Sequence, residues 1–170
     1  MVNVYPYYDY IADPVNNRLD FVQFATDETV LIDGELNYTN LYDATLDVLY
    51  WAMERVLARD VHLAVSETGW PTAGNGNITT PVLAAIYNIN FANHVLRNSG
   101  TPKRPEPVNV DAFIFGMFDE NLDPNVQRRH FGIFNTSTLE PVYPLFTTSG
   151  NKHFNVAQKV GRKRIGGCND

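Results

Sequence analysis

The chain has 170 residues, 44% of them apolar and 19% charged, enough for one domain with a buried core. Its formal charge of -6 divides unevenly: residues 151–170 carry +4 and residues 1–150 carry -10. An acidic body argues against binding a phosphate backbone, which needs clustered Lys and Arg, and no apolar run is long enough for a membrane span.

In chain order, "MVNVYPYY" alternates and is rich in Val and Tyr, which predicts a strand ending near Pro6. The start has neither the basic flank nor the small-residue cleavage site of a signal peptide, and it already reads as the middle of a strand. Residues 9–37 read as irregular and acidic, with a short strand over Leu19 to Phe24. A helix follows, with Asn40 as its cap and Leu41, Ala44, Val48, Ala52 and Val56 at helical spacing.

"VHLAVSE" is apolar almost throughout, as a strand covered on both faces would be, and "GWPTAGNGN" is a loop. A second helix is expected from Thr80 as N-cap and Pro81 as first helical residue. It carries Ala84, Tyr87, Phe91 and Val95 on one face and is stopped by Gly100. After a Pro-rich connection, "VDAFIFGMF" reads as a third strand running into Asp119-Glu120-Asn121. A short closing helix is expected near residues 153–160, followed by a basic, Gly-rich tail. The division expected is therefore 1–150 as a βα unit and 151–170 as closing helix and tail.

Strand, helix, strand, helix, strand signals parallel βα units, whose sites gather at the C-terminal ends of the strands. Those ends carry Asn3 and Tyr5, Glu67, and Glu120. Carboxylates flanked by aromatic side chains (Tyr5, Tyr7, Tyr8, Trp70, Phe115 and Phe118) suit sugar chemistry, since ring faces stack on pyranose rings. A retaining glycosidase needs two carboxyl groups about 5–5.5 Å apart.

Each piece has a plainer alternative at this stage. Glu67 could cap a helix or pair with an Arg, Glu120 could belong to an acidic turn, and the tyrosines could be packing residues. Trp70 before Pro71 could serve only to fix the loop.

Other chemistries find less support. The four histidines lack metal-ligand spacing, and no phosphate loop or Gly-x-Ser-x-Gly nucleophile elbow is present. No metal or cofactor is implied. Cys168 has no partner for an internal disulfide. Three Asn-x-Ser/Thr sequons, at Asn37, Asn77 and Asn135, fall in segments that read as turns.

"VSETGWPTAGN" resembles the signature of plant endo-1,3-β-glucanases, glycoside hydrolase family 17. "VNVYPYYDY", "YNINFANHVL", "FIFGMFDEN" and "HFGIF" resemble further family segments in the same order, over roughly residues 1–146. The resemblance implies the C-terminal half of a (β/α)8 TIM barrel, a retaining double displacement on 1,3-β-glucan and a secreted, cell-wall setting. By the same resemblance Glu67 is the nucleophile and Glu120 an auxiliary acid, while Asn3, Tyr5, Trp70 and Phe115 belong to the substrate site. The family's general acid, in an earlier Gly-Asn-Glu motif, has no counterpart in these residues, so a non-catalytic β-glucan-binding module or an inactive fragment stays an alternative. Two positions depart from the family pattern: Asp123 stands where a Lys is usual, and Arg128 where an acid is usual.

Overall fold

The structure, a computed structural model, describes residues 1–106, 110–120 and 122–145. Three parallel strands form its sheet in the order β1 (Val2–Asn3), β4 (Ala64–Thr68), β5 (Asp111–Ile114). Helix α3 (Leu41–Arg55) lies on the connection from β1 to β4, and α4 (Pro81–Arg97) on that from β4 to β5. This is the expected alternation, and it puts the loops after β1, β4 and β5 at one end of the sheet.

The start of the chain departs from expectation. β1 is only two residues long, because Pro6 opens helix α1 (Pro6–Ala12) instead of ending a longer strand. Proline's fixed φ suits a first helical turn, and its missing N–H costs nothing there. Tyr7 thereby turns inward and is wholly buried against Trp70, with ring centroids 5.0 Å apart. Leu19 to Phe24 is not a strand: Leu19–Val22 forms helix α2, and Phe24 ends it at φ 53°. Residues 31–38 are not irregular but a hairpin, β2 (Leu31–Asp33) with β3 (Leu36–Tyr38), turning at Gly34-Glu35 with Gly34 at φ 60°. Glycine at the first position of a two-residue loop supplies the positive φ that a tight hairpin turn needs.

Helix α3 starts where expected, the Asn40 side chain accepting a hydrogen bond from the Asp43 backbone N–H at 2.8 Å. Its inward face is different. Val48 and Val56 are exposed, while Tyr42, Leu46 and Tyr50 are buried at the i, i+4, i+8 spacing. Tyrosines carry more apolar area than valines, and they win the core side. Asp43 and Asp47 on the same face are buried too; Asp47 accepts from Tyr38, from Thr101 and from the backbone N–H of Lys103. These bonds clamp the turn at 101–104 to α3.

The Tyr42 and Tyr50 hydroxyls have no hydrogen-bond partner among the described residues. A buried hydroxyl without a partner carries its desolvation cost unrelieved. Tyr42→Phe is therefore expected to keep the stability or raise it by up to about 1 kcal/mol in denaturant unfolding. A clear loss would assign the hydroxyl a bound partner.

α4 is capped as expected by Thr80, which accepts from the Leu83 N–H, and it buries Ala84, Tyr87 and Phe91. It ends at Arg97 with Asn98 in the left-handed conformation, before Gly100. Along β4 burial is uneven, Val65 and Thr68 buried and Ser66 and Glu67 half-buried, so the strand is not covered equally on both faces. The core joins Val65, Trp70, Tyr87 and Phe91 to Phe131 and Tyr143 from the last described segment. The expected closing helix near 153–160 lies outside the described residues.

Candidate active site

Parallel pairing sets Asn3 opposite Glu67, with the Val4 N–H bonded to the Glu67 carbonyl at 2.9 Å. That register brings the two side chains to one face at the C-terminal ends of β1 and β4. Asn3 Nδ2 and the Tyr5 hydroxyl each donate to Glu67 Oε2, both at 3.0 Å. Both bonds fall on the same oxygen. Glu67 Oε1 has no hydrogen bond among the described residues.

Tyr5 is held by its ring, edge-on to Tyr8 at 5.5 Å and to Phe131 at 5.6 Å between centroids. Burial, and then the bond to Glu67, push its phenol far above the ordinary value, so it keeps its proton and remains a donor. Tyr8 is shifted up as well, chiefly by burial, with the Arg128 charge opposing.

The loop after β4 is pinned from below. Trp70 is wholly buried, donates from Nε1 to the Ile78 carbonyl at 2.8 Å and packs on Tyr7, Tyr10 and Tyr87. This corrects its place among substrate-binding residues: it has no surface to offer a ligand and acts by holding the loop. Gly69 permits the close approach of β5's end, since a Cβ there would lie 2.5 Å from the Phe115 carbonyl oxygen. The Phe115 N–H donates to Thr68 O at 2.8 Å, and its half-buried ring lies 5.9 Å from Phe131.

Glu120 is exposed, and its backbone N–H donates to the Arg129 carbonyl at 3.1 Å. Among the described residues no hydrogen bond joins its carboxylate to the Glu67 network. Its neighbour Asp119 anchors the loop, accepting from the Gly132 N–H at 2.8 Å and facing His130 Nδ1 at 3.3 Å. The two departures from the family pattern meet: Arg128 Nε lies 3.3 Å from Asp123 Oδ2.

Sequence reasoning missed two participants. Ser66 donates from Oγ within the Asn3–Glu67 network, and Asn75 donates to the Tyr7 hydroxyl at 3.3 Å. The signal for Ser66 was only its place beside Glu67. Nothing local marked Asn75, which is 68 residues from its partner. The three sequon asparagines are exposed, with Asn37 on strand β3 and not in a turn. Among the described residues no helix is long and apolar enough to cross a membrane.

Comparison with known proteins gives this arrangement its context. The model of glycosyl hydrolases family 17 matches residues 1–146. A probable glucan endo-1,3-beta-glucosidase, BG4 of Arabidopsis thaliana, is 47% identical over 146 residues, covering 86% of this chain and 42% of the relative. The acidic isoform of glucan endo-1,3-beta-glucosidase from Zea mays is 43% identical over 145 residues, 84% of this chain and 42% of its own length. Among solved structures, CJP38, a beta-1,3-glucanase and allergen of Cryptomeria japonica pollen, superposes with a TM-score of 0.77 at 40% identity. The match covers 86% of this chain and 45% of that one. The chain thus spans less than half the length of these relatives. It belongs to glycosyl hydrolases family 17.

Proposed function

We propose that this chain supplies the nucleophile side of a retaining endo-1,3-β-glucanase site, with Glu67 attacking the anomeric carbon of a 1,3-β-glucan. The observation that carries this reading is the one-sided hydrogen bonding of Glu67. Two donors hold Oε2 and leave Oε1 as the oxygen with an unengaged lone pair. Attack forms a C1–O bond to Glu67 while the bond from C1 to the leaving oxygen breaks, its electron pair departing with the leaving group. Water then attacks C1 and gives up a proton, equivalent to the one the departed oxygen takes up, while the electron pair of the ester bond returns to Glu67. Phe115 and the exposed ring of Phe118 are assigned to the sugar-facing surface, and Glu120 to shaping the cleft's charge. The whole relatives' (β/α)8 barrel, of which this is the C-terminal part, and a secreted setting belong to the same reading. Its three exposed sequon asparagines support secretion.

A 2,4-dinitrophenyl 2-deoxy-2-fluoro-β-laminaribioside tests it, because the leaving dinitrophenolate needs no proton from a general acid. Peptide mass spectrometry is expected to find the fluorosugar on Glu67. A folded chain that acquires no adduct, or acquires it elsewhere, would overturn the assignment.

The donors on Oε2 carry a further expectation. The carboxylate loses charge as the intermediate forms and regains it as the intermediate breaks down. A donor aimed at it therefore assists the second step more than the first. Tyr5→Phe is expected to slow azide-driven release of the fluorosugar by about ten- to a hundredfold, with a smaller effect on its capture. Equal slowing of both steps would reduce Tyr5 to a packing role.

A further inference from the structure

We propose that Ser66 is a positioning residue for Glu67: its hydroxyl, 2.7 Å from Asn3 Oδ1, fixes which end of the Asn3 amide faces the carboxylate. The inference rests on Glu67 being the nucleophile.

An amide has one donating and one accepting end of nearly the same shape. Asn3 presents Nδ2 to Glu67 Oε2, and an ionised carboxylate can only accept. Turned through 180°, the same side chain would set its carbonyl oxygen against the carboxylate. The partner behind the amide decides between the two, and that partner is Ser66. Its single hydroxyl proton has two acceptors in reach, Asn3 Oδ1 at 2.7 Å and the Val2 carbonyl at 3.1 Å. Donation to Asn3 locks Nδ2 toward Glu67. Donation to Val2 instead turns the Ser66 lone pairs toward Asn3 and favours the reversed amide. The hydroxyl rotor and the amide are thus one coupled device, created by the register shift at Val2/Asn3 where β1 meets β4.

The consequence falls on breakdown of the glycosyl-enzyme. When azide attacks C1, a C–N bond forms, the C1–O bond to Glu67 breaks, and its electron pair returns to the carboxylate. An N–H facing Oε2 stabilises that charge, whereas a carbonyl oxygen repels it.

Two measurements decide the matter. Azide-driven release of the fluorosugar is expected to be about tenfold slower in Ser66→Ala and restored in Ser66→Thr. Ser66→Ala is expected to add nothing in an Asn3→Ala background, the mark of action through Asn3. Independently of any chemistry, the two side-chain amide protons of 15N-labelled Asn3 are expected to be widely separated in the unmodified and Ser66→Thr chains. In Ser66→Ala the two shifts are expected to converge. Unchanged Asn3 signals in Ser66→Ala, or slowing that is additive with Asn3→Ala, would overturn the proposal. A chain that forms no adduct defeats the nucleophile assignment instead, and the amide signals still decide whether Ser66 orients Asn3.

Discussion

Asp47→Ala is expected to lower the stability of the fold by about 2–4 kcal/mol. The carboxylate is only 1% exposed, and three donors converge on it: the Tyr38 hydroxyl at 3.0 Å, the Thr101 hydroxyl, and the Lys103 N–H at 2.9 Å. Alanine leaves all three donors without their acceptor. Around this hub Lys103 sits over Trp51 and pairs with Glu54 at 3.0 Å, and Arg104 stacks on Tyr50. Loss of Asp47 therefore loosens the connection that leads into β5 and the loop beyond it.

Asp47→Asn should cost far less. Its carbonyl can receive Tyr38 and Lys103, and its amide can donate to the Thr101 oxygen. The pH dependence separates the two forms further. Burial holds the Asp47 carboxyl above its ordinary value, against the opposing effect of its three hydrogen bonds. A raised value in the folded state means that folding favours the protonated form, so this stabilisation is full at low pH and is lost as pH rises through the folded value. Asn has no such proton, so the deficit of Asp47→Asn relative to the parent chain should shrink from acid to neutral pH. Denaturant unfolding of both chains at several pH values reads the difference; a deficit that grows toward neutral pH would mean the carboxylate is stabilised in its charged form.

Much of the architecture was legible because local and global preferences agree in it. Asn40 and Thr80 are caps by composition and by geometry, and the apolar face of α4 follows its 3.6-residue period. Legibility failed where a residue's partner lies far along the chain. Periodicity alone put Val48 and Val56 on the inward face of α3. The tyrosines one turn away win because Phe24, Phe91 and the 101–104 turn pack there. Leu19 to Phe24 has strand-forming residues, but burying Phe21 and Val22 within one short turn makes it helical. The hairpin turn at Gly34-Glu35 lies within a stretch whose acidic composition reads as irregular, and only the pairing of Leu31–Asp33 with Leu36–Tyr38 reveals it.

For the site, the strand-end rule found Asn3, Tyr5 and Glu67, because a parallel register needs only the position of each residue along its strand. It said nothing of direction. Trp70 shares the motif with Glu67 yet points into the core, where its indole N–H finds the Ile78 carbonyl. Ser66 has no base beside it in the sequence and so carries no mark of a nucleophile, but a hydroxyl that orients an amide needs none.

Glu67→Gln is expected to suppress capture of the fluorosugar by about 10³-fold or more while leaving the fold intact. Glutamine can place its carbonyl where Oε2 lies, so the bonds from Asn3 and Tyr5 at 3.0 Å each survive. Its amide nitrogen then takes the place of Oε1, and a delocalised amide nitrogen has no lone pair to give an anomeric carbon. The substitution thus removes the atom proposed to attack and little else, which makes it a sharper test than alanine, where Asn3 and Tyr5 would both lose their acceptor. Affinity for a laminari-oligosaccharide, measured by calorimetry, should stay within about tenfold of the parent chain, because one charge is exchanged for a neutral group of the same shape. Capture at the parent rate would assign the attack to another carboxylate. Retained binding with capture abolished would separate binding of the sugar from bond formation and assign the chemistry to the Glu67 oxygen that Asn3 and Tyr5 leave free.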